Sequence, residues 1–168
     1  MIDDIAAACG AEVIRTAVGE ANVAAAMVEN DCVIGGEGNG GVIDLRAGPV
    51  RDSLVAMAYV LALMAETEKS VSWLASEVGG YCMKKVKFPA NSRQTAEIIE
   101  RVKGLLPEAK IDTTDGCRFD LADGWCHLRP SNTEPVARLI VETKTSQACE
   151  KYISSILTIC NEICPQGG

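Results

Sequence analysis

The feature that most constrains the fold is a change of pattern at Gly79–Gly80. Before these two glycines, helical segments alternate with short apolar runs, which is typical of an α/β layered domain. After them, strands with alternating side chains surround two amphipathic helices, which is typical of an α+β domain. We therefore predict one domain over residues 1–80 and a second over residues 81–168.

The first domain is predicted to be a partial three-layer α/β domain. Segment 51–69 is apolar nearly all round, so we expect a helix that is buried on several sides and capped by Asp52 or Ser53. Only two core strands are recognisable, so we expect the chain to be the C-terminal piece of a longer protein. The predicted elements before this helix are a helix at 2–9, a strand at 11–19, a helix at 20–30 and a buried parallel strand at 32–36.

The second domain has the predicted order β-α-β-β-β-α, an α+β domain with a four-stranded antiparallel sheet and two helices. Asp123–Gly124 is predicted to be the type I′ turn of a hairpin in the middle of this domain. The predicted elements are a strand at 81–89, a helix at 92–107, hairpin strands at 117–122 and 125–129, a strand at 137–144 and a helix at 146–164.

Composition excludes several classes of function. A net charge of −7 argues against general nucleic-acid and membrane-surface binding, because both need a basic field. The longest apolar run, residues 54–65, is far shorter than the roughly 20 residues that span a bilayer. The 8 cysteines form no CxxC pair and His127 is the single histidine, so we predict no metal site and a reduced, cytoplasmic setting.

The stretch LRPSNTEPVAR, residues 128–138, which we name the arginine loop, gathers polar donors between two predicted strands. Pro130 and Pro135 lack an N–H, so we expect the loop to leave the strand ladder at both positions. Forked guanidinium groups match phosphate or carboxylate geometry, which predicts an anion site. A hydrogen-bonded structural turn is the alternative. The candidate anion-binding residues are Arg129, Ser131, Asn132, Thr133 and Arg138.

The stretch GGEGNGG, residues 35–41, which we name the glycine loop, lets the backbone approach a ligand closely. Its two longer side chains are Glu37 and Asn39, an acid and an amide that can together bind vicinal hydroxyls of a sugar. The loop lacks the GK[ST] ending of a phosphate-binding P-loop. The alternative is a flexible hairpin-like turn without a ligand.

Taken together, the two loops predict a ligand with hydroxyls at one end and a phosphate at the other. We find no nucleophile beside a base and no aspartate cluster of the Mg²⁺-binding type in the sequence. We therefore predict no catalytic residues in this chain, which can bind a phosphosugar without transferring its phosphate.

The two loops, in this order, resemble those of the α-D-phosphohexomutase superfamily, which includes phosphoglucomutase/phosphomannomutase and phosphoglucosamine mutase. The glycine loop is similar to the sugar-binding loop of that family's third domain. The arginine loop is similar to the phosphate-binding loop of its fourth, C-terminal domain. Segments 15–27 and 51–65 resemble those that flank the sugar-binding loop, so the resemblance covers nearly the whole chain.

The resemblance implies a parent enzyme of the isomerase class, a phosphomutase that moves phosphate between C1 and C6 of a hexose through a bisphosphorylated intermediate. It implies a hexose bisphosphate activator, and a Mg²⁺ and a phosphoserine in N-terminal domains that this sequence lacks. Glu37 and Asn39 would contact sugar hydroxyls. Arg129, Ser131, Asn132, Thr133 and Arg138 would hold the non-reacting phosphate. The chain alone is expected to be inactive.

Two departures leave the sugar open. Many family members have serine where this chain has Asn39 and histidine where it has Gly41. Glucose, mannose and glucosamine phosphates therefore all stay possible, as do a phosphoglucosamine mutase, a non-catalytic phosphosugar-binding module and a purely structural domain. Expected partners are a hexose phosphate and the missing N-terminal domains. An open edge strand also predicts that the chain self-associates.

Overall fold

The computed structural model describes residues 1–131 and 133–165. The chain divides into two compact units, Met1–Gly79 and Gly80–Gly168. Among the described residues, no helix combines the length and apolar character that crossing a membrane requires.

The first unit combines helices with one short hairpin. Asp52 caps its longest helix, because the Asp52 side chain accepts hydrogen bonds from the amides of Leu54 and Val55, as predicted. The elements are α1 (Ile2–Ala8), α2 (Glu20–Glu29), α3 (Ser53–Thr67), α4 (Val71–Glu77) and the antiparallel strands β1 (Gly35–Gly36) and β2 (Val42–Ile43).

The two strands predicted at 11–19 and 32–36 are wrong in detail. Residues 11–17 form no regular element. Only Gly35–Gly36 of the second segment is a strand; it pairs antiparallel with β2, and Val33 before it is 85% exposed. A buried parallel strand needs parallel hydrogen-bonded neighbours, and the described residues supply no parallel partner to either segment.

Helix α3 also differs from its prediction, because none of its residues is buried. Leu61 is 63% exposed, and Leu54 and Met57 are exposed as well. A shallow groove between α3 and α4 has an almost wholly apolar lining that includes Met64 and Val71. The apolar pattern of this helix describes a surface suited to burial, and the described residues of this unit leave that surface open.

A buried carboxylate ties the end of β2 to α3. Asp44 accepts hydrogen bonds from Arg46 Nη2 at 2.7 Å and from the hydroxyl of Tyr59. These bonds, first from Arg46 and then from Tyr59, hold the pKa of Asp44 well below its usual range. The charged form of Asp44 is therefore part of the folded state.

The second unit contains an antiparallel sheet with strand order β3-β7-β6-β5-β4. Its described residues form five strands where four were predicted. The additional strand, β4, pairs with β5 at the sheet edge and is too short to show an alternating pattern. The elements are β3 (Cys82–Pro89), α5 (Ser92–Leu105), β4 (Lys110–Asp112), β5 (Cys117–Leu121), β6 (Gly124–Pro130), β7 (Val136–Thr143) and α6 (Ser146–Ile163).

The hairpin between β5 and β6 is present, but its predicted turn is shifted. Leu121 pairs with Gly124, which leaves Ala122 and Asp123 as the loop, and neither has a positive φ. The turn is therefore not type I′, which needs a positive φ at both central positions. Gly124 serves instead in a close approach: a Cβ there would lie 2.0 Å from the carbonyl oxygen of Glu142.

Helices α5 and α6 pack on one face of this sheet and enclose the core. The fully buried side chains of this core include Ile98, Val102, Phe119, Leu128, Leu139, Val141 and Ile156. Residues on the opposite face alternate with these and are more exposed, as Lys85, Lys87 and Arg138 are. We name this the open face, because no described helix of the second unit packs on it.

Candidate functional site

Three cations form a row at one end of the open face. Arg129 on β6 lies directly opposite Arg138 on β7, and Arg138 lies directly opposite Lys87 on β3. Side chains of directly opposed residues in an antiparallel sheet lie on the same face. The ladder therefore brings together the two arginines that bracket the arginine loop, and it adds Lys87, which was not predicted from the sequence.

Arg129 is held in a nearly enclosed position. Its side chain is 13% exposed, and its Nη1 lies 3.8 Å from the carboxylate of Asp115. Its Nε is buried and has no hydrogen-bond partner among the described residues. Gly116 packs against it with a φ of 65°, and a Cβ on Gly116 would lie 2.5 Å from Arg129 Cβ. This buried donor is suited to an anion that accepts its hydrogen bond.

Arg138 presents its charge differently, because its side chain is exposed. Its charge helps to lower the pKa of the Glu134 carboxyl, although the hydrogen bond from Lys87 is the main cause. No described residue forms an ion pair with Arg138. The guanidinium is therefore available to a ligand at the end of the sheet.

The arginine loop is tightly closed. The amide of Ser131 donates to the carbonyl of Val136 at 2.8 Å, and the amide of Ala90 donates to the carbonyl of Pro135 at 3.2 Å. Pro130 stays within β6, contrary to the prediction, because the Ser131 bond places the Pro130 nitrogen on the side away from β7. The loop is thereby anchored to both β7 and the segment after β3.

Two hydroxyls of the loop lie beside each other. The oxygens of Ser131 and Thr133 are 3.4 Å apart, so neither hydroxyl is committed to a short bond with the other. Asn132, the remaining candidate anion-binding residue, lies outside the described residues. The described part of the site therefore offers two hydroxyls together with the guanidinium groups of Arg129 and Arg138.

His127 lies behind Arg129 on the same face of β6. Its Nε2 is 2.6 Å from the carbonyl oxygen of Asp115, so Nε2 donates that hydrogen bond. Burial lowers the pKa of His127, which favours the neutral imidazole. The imidazole thus holds the backbone of Asp115, whose carboxylate contacts Arg129. His127 is therefore a structural residue of the sheet.

The glycine loop is the turn of the β1–β2 hairpin. The amide of Glu37 donates to the carbonyl of Gly41 at 3.0 Å, and the amide of Gly41 donates to Asn39 Oδ1 at 3.0 Å. Asn39 Nδ2 lies 3.4 Å from Glu37 Oε2. The two predicted sugar-binding residues are therefore adjacent, but part of the hydrogen-bonding capacity of Asn39 is used within the loop.

Arg51 contacts the glycine loop from the segment before α3. Its Nη1 lies 2.8 Å from Glu37 Oε2, and its Nε lies 2.7 Å from Glu20 Oε2 at the start of α2. Arg51 was not predicted from the sequence, because no local spacing links position 51 to positions 20 and 37. The glycine at position 41 was a usable signal, since a loop position without a side chain leaves room for one from elsewhere.

The described residues offer no cluster of metal ligands. No group of three or more His, Cys, Asp or Glu side chains among them has the arrangement to hold a metal. Mg²⁺ prefers octahedral oxygen ligands that include carboxylates. We therefore derive no step through a metal from this chain.

Comparison with known proteins identifies the family. The model of the phosphoglucomutase/phosphomannomutase alpha/beta/alpha domain III matches residues 1–81, and that of the phosphoglucomutase/phosphomannomutase C-terminal domain matches residues 83–159. A probable phosphoglucosamine mutase of Methanopyrus kandleri is 36% identical over 161 residues, which cover 95% of this chain and 36% of that protein. A phosphoglucomutase/phosphomannomutase of Thermococcus kodakarensis is 39% identical over 157 residues, which cover 91% and 34%.

A solved structure shows the same fold. The crystal structure of a phosphoglucomutase/phosphomannomutase family protein from Burkholderia thailandensis superposes with a TM-score of 0.79 at 21% identity, over 99% of this chain and 36% of that one. This chain thus spans about a third of the length of the relatives it matches. Its two matched domains, in the order that the two loops predicted, show that the chain belongs to the phosphoglucomutase/phosphomannomutase family.

Proposed function

We propose that this chain is the sugar- and phosphate-binding C-terminal part of a phosphohexomutase. The whole enzyme would interconvert hexose 1-phosphate and hexose 6-phosphate through a bisphosphorylated intermediate, and a hexose bisphosphate would activate it. Support comes from family membership and from relatives named as mutases. The phosphoserine, the Mg²⁺ and the transfer chemistry would belong to N-terminal domains, so the chain by itself would be inactive.

The observation that carries the phosphate site is the buried Nε of Arg129, which lacks a partner among the described residues. An unsatisfied buried donor costs on the order of 1–3 kcal/mol. A phosphate bound at this end of the sheet would accept from Arg129 and from Arg138 opposite it. The hydroxyls of Ser131 and Thr133, with Asn132, would complete the site for the phosphate that does not react.

The glycine loop would recognise the sugar. Glu37 Oε2 is engaged by Arg51, whereas Oε1 has no partner among the described residues and is left to accept from a hydroxyl. Asn39 would supply the amide beside it. A loop that offers both acceptors and donors suits vicinal hydroxyls of a sugar. The bisphosphorylated intermediate would reorient within the site, so the loop would have to bind these hydroxyls in two orientations.

Glucosamine phosphate is the second candidate substrate. The relative from Methanopyrus kandleri is named a probable phosphoglucosamine mutase, whereas the relative from Thermococcus kodakarensis is named a phosphoglucomutase/phosphomannomutase. The carboxylate of Glu37 would accept from either a hydroxyl or an amino group.

The 8 free thiols would suit a reducing compartment, which favours the cytoplasm.

Binding of inorganic phosphate to the 168-residue chain tests the phosphate site. We expect Arg138→Ala and Arg129→Ala each to weaken binding by about 10- to 100-fold, because each removes a charged contact worth about 1.5–3 kcal/mol. Arg101→Ala is the matched control, since Arg101 pairs with Glu162 between the two helices. Titration calorimetry that finds equal affinity in Arg138→Ala and the unaltered chain would refute the role of the arginine loop.

A turnover assay tests whether this chain binds the substrate without catalysing phosphate transfer. The chain should convert no glucose 1-phosphate to glucose 6-phosphate, even with Mg²⁺ and glucose 1,6-bisphosphate present. Conversion by the purified chain, lost in Arg138→Ala, would show that it carries catalytic groups of its own. That outcome would contradict the assignment of chemistry to other domains.

A further inference from the structure

Arg51 occupies an unusual place in the first unit, because it joins three segments that are distant in sequence. Its backbone amide donates to Glu20 Oε2 at 3.0 Å and its Nε donates to the same oxygen at 2.7 Å. The next amide, that of Asp52, donates to the carbonyl of Val42 at 2.8 Å. The base of the Arg51 side chain is thus anchored to both α2 and β2.

The side chain then crosses the glycine loop. A Cβ built on Gly41 would lie 2.3 Å from Arg51 Cδ and 2.8 Å from Arg51 Cγ. Real Cβ atoms do not approach other heavy atoms so closely, so the stem of Arg51 fills the space of a side chain at position 41. Gly41 does not have a positive φ, which means that its backbone would accept alanine.

The far end of the side chain reaches the candidate sugar-binding acid. Arg51 Nη1 forms an ion pair with Glu37 Oε2 at 2.8 Å, and the Glu37 side chain is 14% exposed. A guanidinium that is anchored by its Nε hydrogen bond to Glu20 and paired with Glu37 through Nη1 restricts the positions that the Glu37 carboxylate can take. The second oxygen, Glu37 Oε1, is then left in one orientation.

We propose that Arg51 is the positioning residue of the sugar site: it crosses Gly41 and holds the Glu37 carboxylate so that one oxygen remains for a hexose hydroxyl. This inference rests on the proposed function of the glycine loop. A preorganised acceptor binds more tightly than one that must be ordered by the ligand. Arg51 would therefore act on recognition of the sugar and not on recognition of the phosphate.

Comparison of two ligands separates these roles. Glucose 1-phosphate and inorganic phosphate are titrated into the 168-residue chain, with amide NMR signals of both units followed. We expect Arg51→Ala to weaken glucose 1-phosphate binding about tenfold and to change phosphate binding less than about twofold. Arg51→Lys, which keeps the charge without the fork, should recover part of the loss.

A double-mutant cycle tests whether Gly41 and Arg51 act together. Gly41→Ala displaces the Arg51 side chain, so it should weaken glucose 1-phosphate binding as Arg51→Ala does. The same alanine added to Arg51→Ala should have a much smaller further effect, because the side chain it displaces is gone and the nearest atom to its Cβ is then Asn39 Oδ1, at 3.2 Å. Gly48→Ala is the control, since its added Cβ would meet only Val50 Cγ2 at 3.9 Å.

The outcomes distinguish this inference from the proposed function. An unaltered chain that binds glucose 1-phosphate no better than inorganic phosphate overturns the sugar role of the glycine loop and, with it, the role of Arg51. A clear preference for glucose 1-phosphate that survives both Arg51→Ala and Gly41→Ala overturns the role of Arg51 alone. Should Arg51→Ala disrupt the amide spectrum of the first unit, Gly41→Ala and Arg51→Lys decide the question.

Discussion

Lys87 on β3 forms an ion pair with Glu134, the acidic residue of the arginine loop. The hydrogen bond from Lys87 is the main cause that lowers the pKa of the Glu134 carboxyl, and the charge of Arg138 adds to it. Glu134 is thus near enough to Arg138 to compete with a bound anion. Lys87 keeps that carboxylate occupied.

We expect Lys87→Ala to weaken phosphate binding by up to about fivefold, the range of an exposed ion pair. Without Lys87, the Glu134 carboxylate is left to pair with Arg138 and oppose the ligand. Adding Glu134→Gln to Lys87→Ala should restore affinity in titration calorimetry. Lys85→Ala is the control, because it removes the same charge from β3 two residues before Lys87, on the same face of the sheet. An equal loss of phosphate affinity in Lys85→Ala would mean that only the total charge matters.

Substitution of Gly116 should reduce stability. Gly116→Ala places a Cβ 2.5 Å from both Arg129 Cβ and the Leu128 carbonyl oxygen, at a φ of 65°. We expect a loss of at least about 1–2 kcal/mol in the free energy of unfolding, the cost of this conformation alone for a residue with a Cβ. Urea unfolding followed by Trp125 fluorescence in a Trp73→Phe background measures it. Gly104→Ala, in the open on α5, should instead stabilise by about 0.5–1 kcal/mol.

The first unit should lose stability in acid through Asp44. Because the folded-state pKa of Asp44 lies below its usual value of 3.8, the carboxylate stabilises the fold above that pH. This contribution is lost as the pH falls below 3.8 towards the lowered pKa. Asp44→Asn should therefore destabilise the unit at pH 7 and flatten its acid dependence. Asp3→Asn, at an exposed ion pair with Arg15, serves as the control.

We expect the 168-residue chain to self-associate through the apolar groove of α3 and α4. Leu61→Asp places a charge on this groove and should shift sedimentation velocity profiles towards the monomer. Val33→Asp adds the same charge at an exposed apolar residue outside the groove. If only Val33→Asp caused dissociation, the contact between copies would lie near β1 and not at the groove. An unaltered chain that sediments as a monomer would contradict self-association.

Features set by local sequence were predictable. Asp52 caps α3 through amides only two and three residues away, and the alternation in β3 and β7 follows from the period of a strand. The predicted mixture of helices and strands is confirmed, because such caps and periods are local signals that the sequence carries directly. The strand β4 was missed because three residues with one apolar side chain carry no period.

Features set by distant contacts were not predictable. The apolar pattern of α3 indicates a helix whose surface is favourable to bury, but it does not indicate which residues would cover that surface. The clustering of Arg129 and Arg138 in the arginine loop is visible in the sequence, whereas their opposition depends on the register of β6 and β7. The contact between Arg51 and Glu37 depends on how β2, α2 and α3 meet.

The opposition of Arg129 and Arg138 would link the stability of the fold to the proposed phosphate site. Two like charges directly opposite each other on neighbouring strands repel, so the second unit without a bound anion would carry an electrostatic penalty. A phosphate bound there, as proposed, would remove this penalty and stabilise the folded state, by about 2.7 kcal/mol at a hundredfold excess over Kd. The lifetime of such a protein in a cell would then follow the supply of its phosphorylated ligand, with depletion of that ligand exposing it to unfolding and proteolysis.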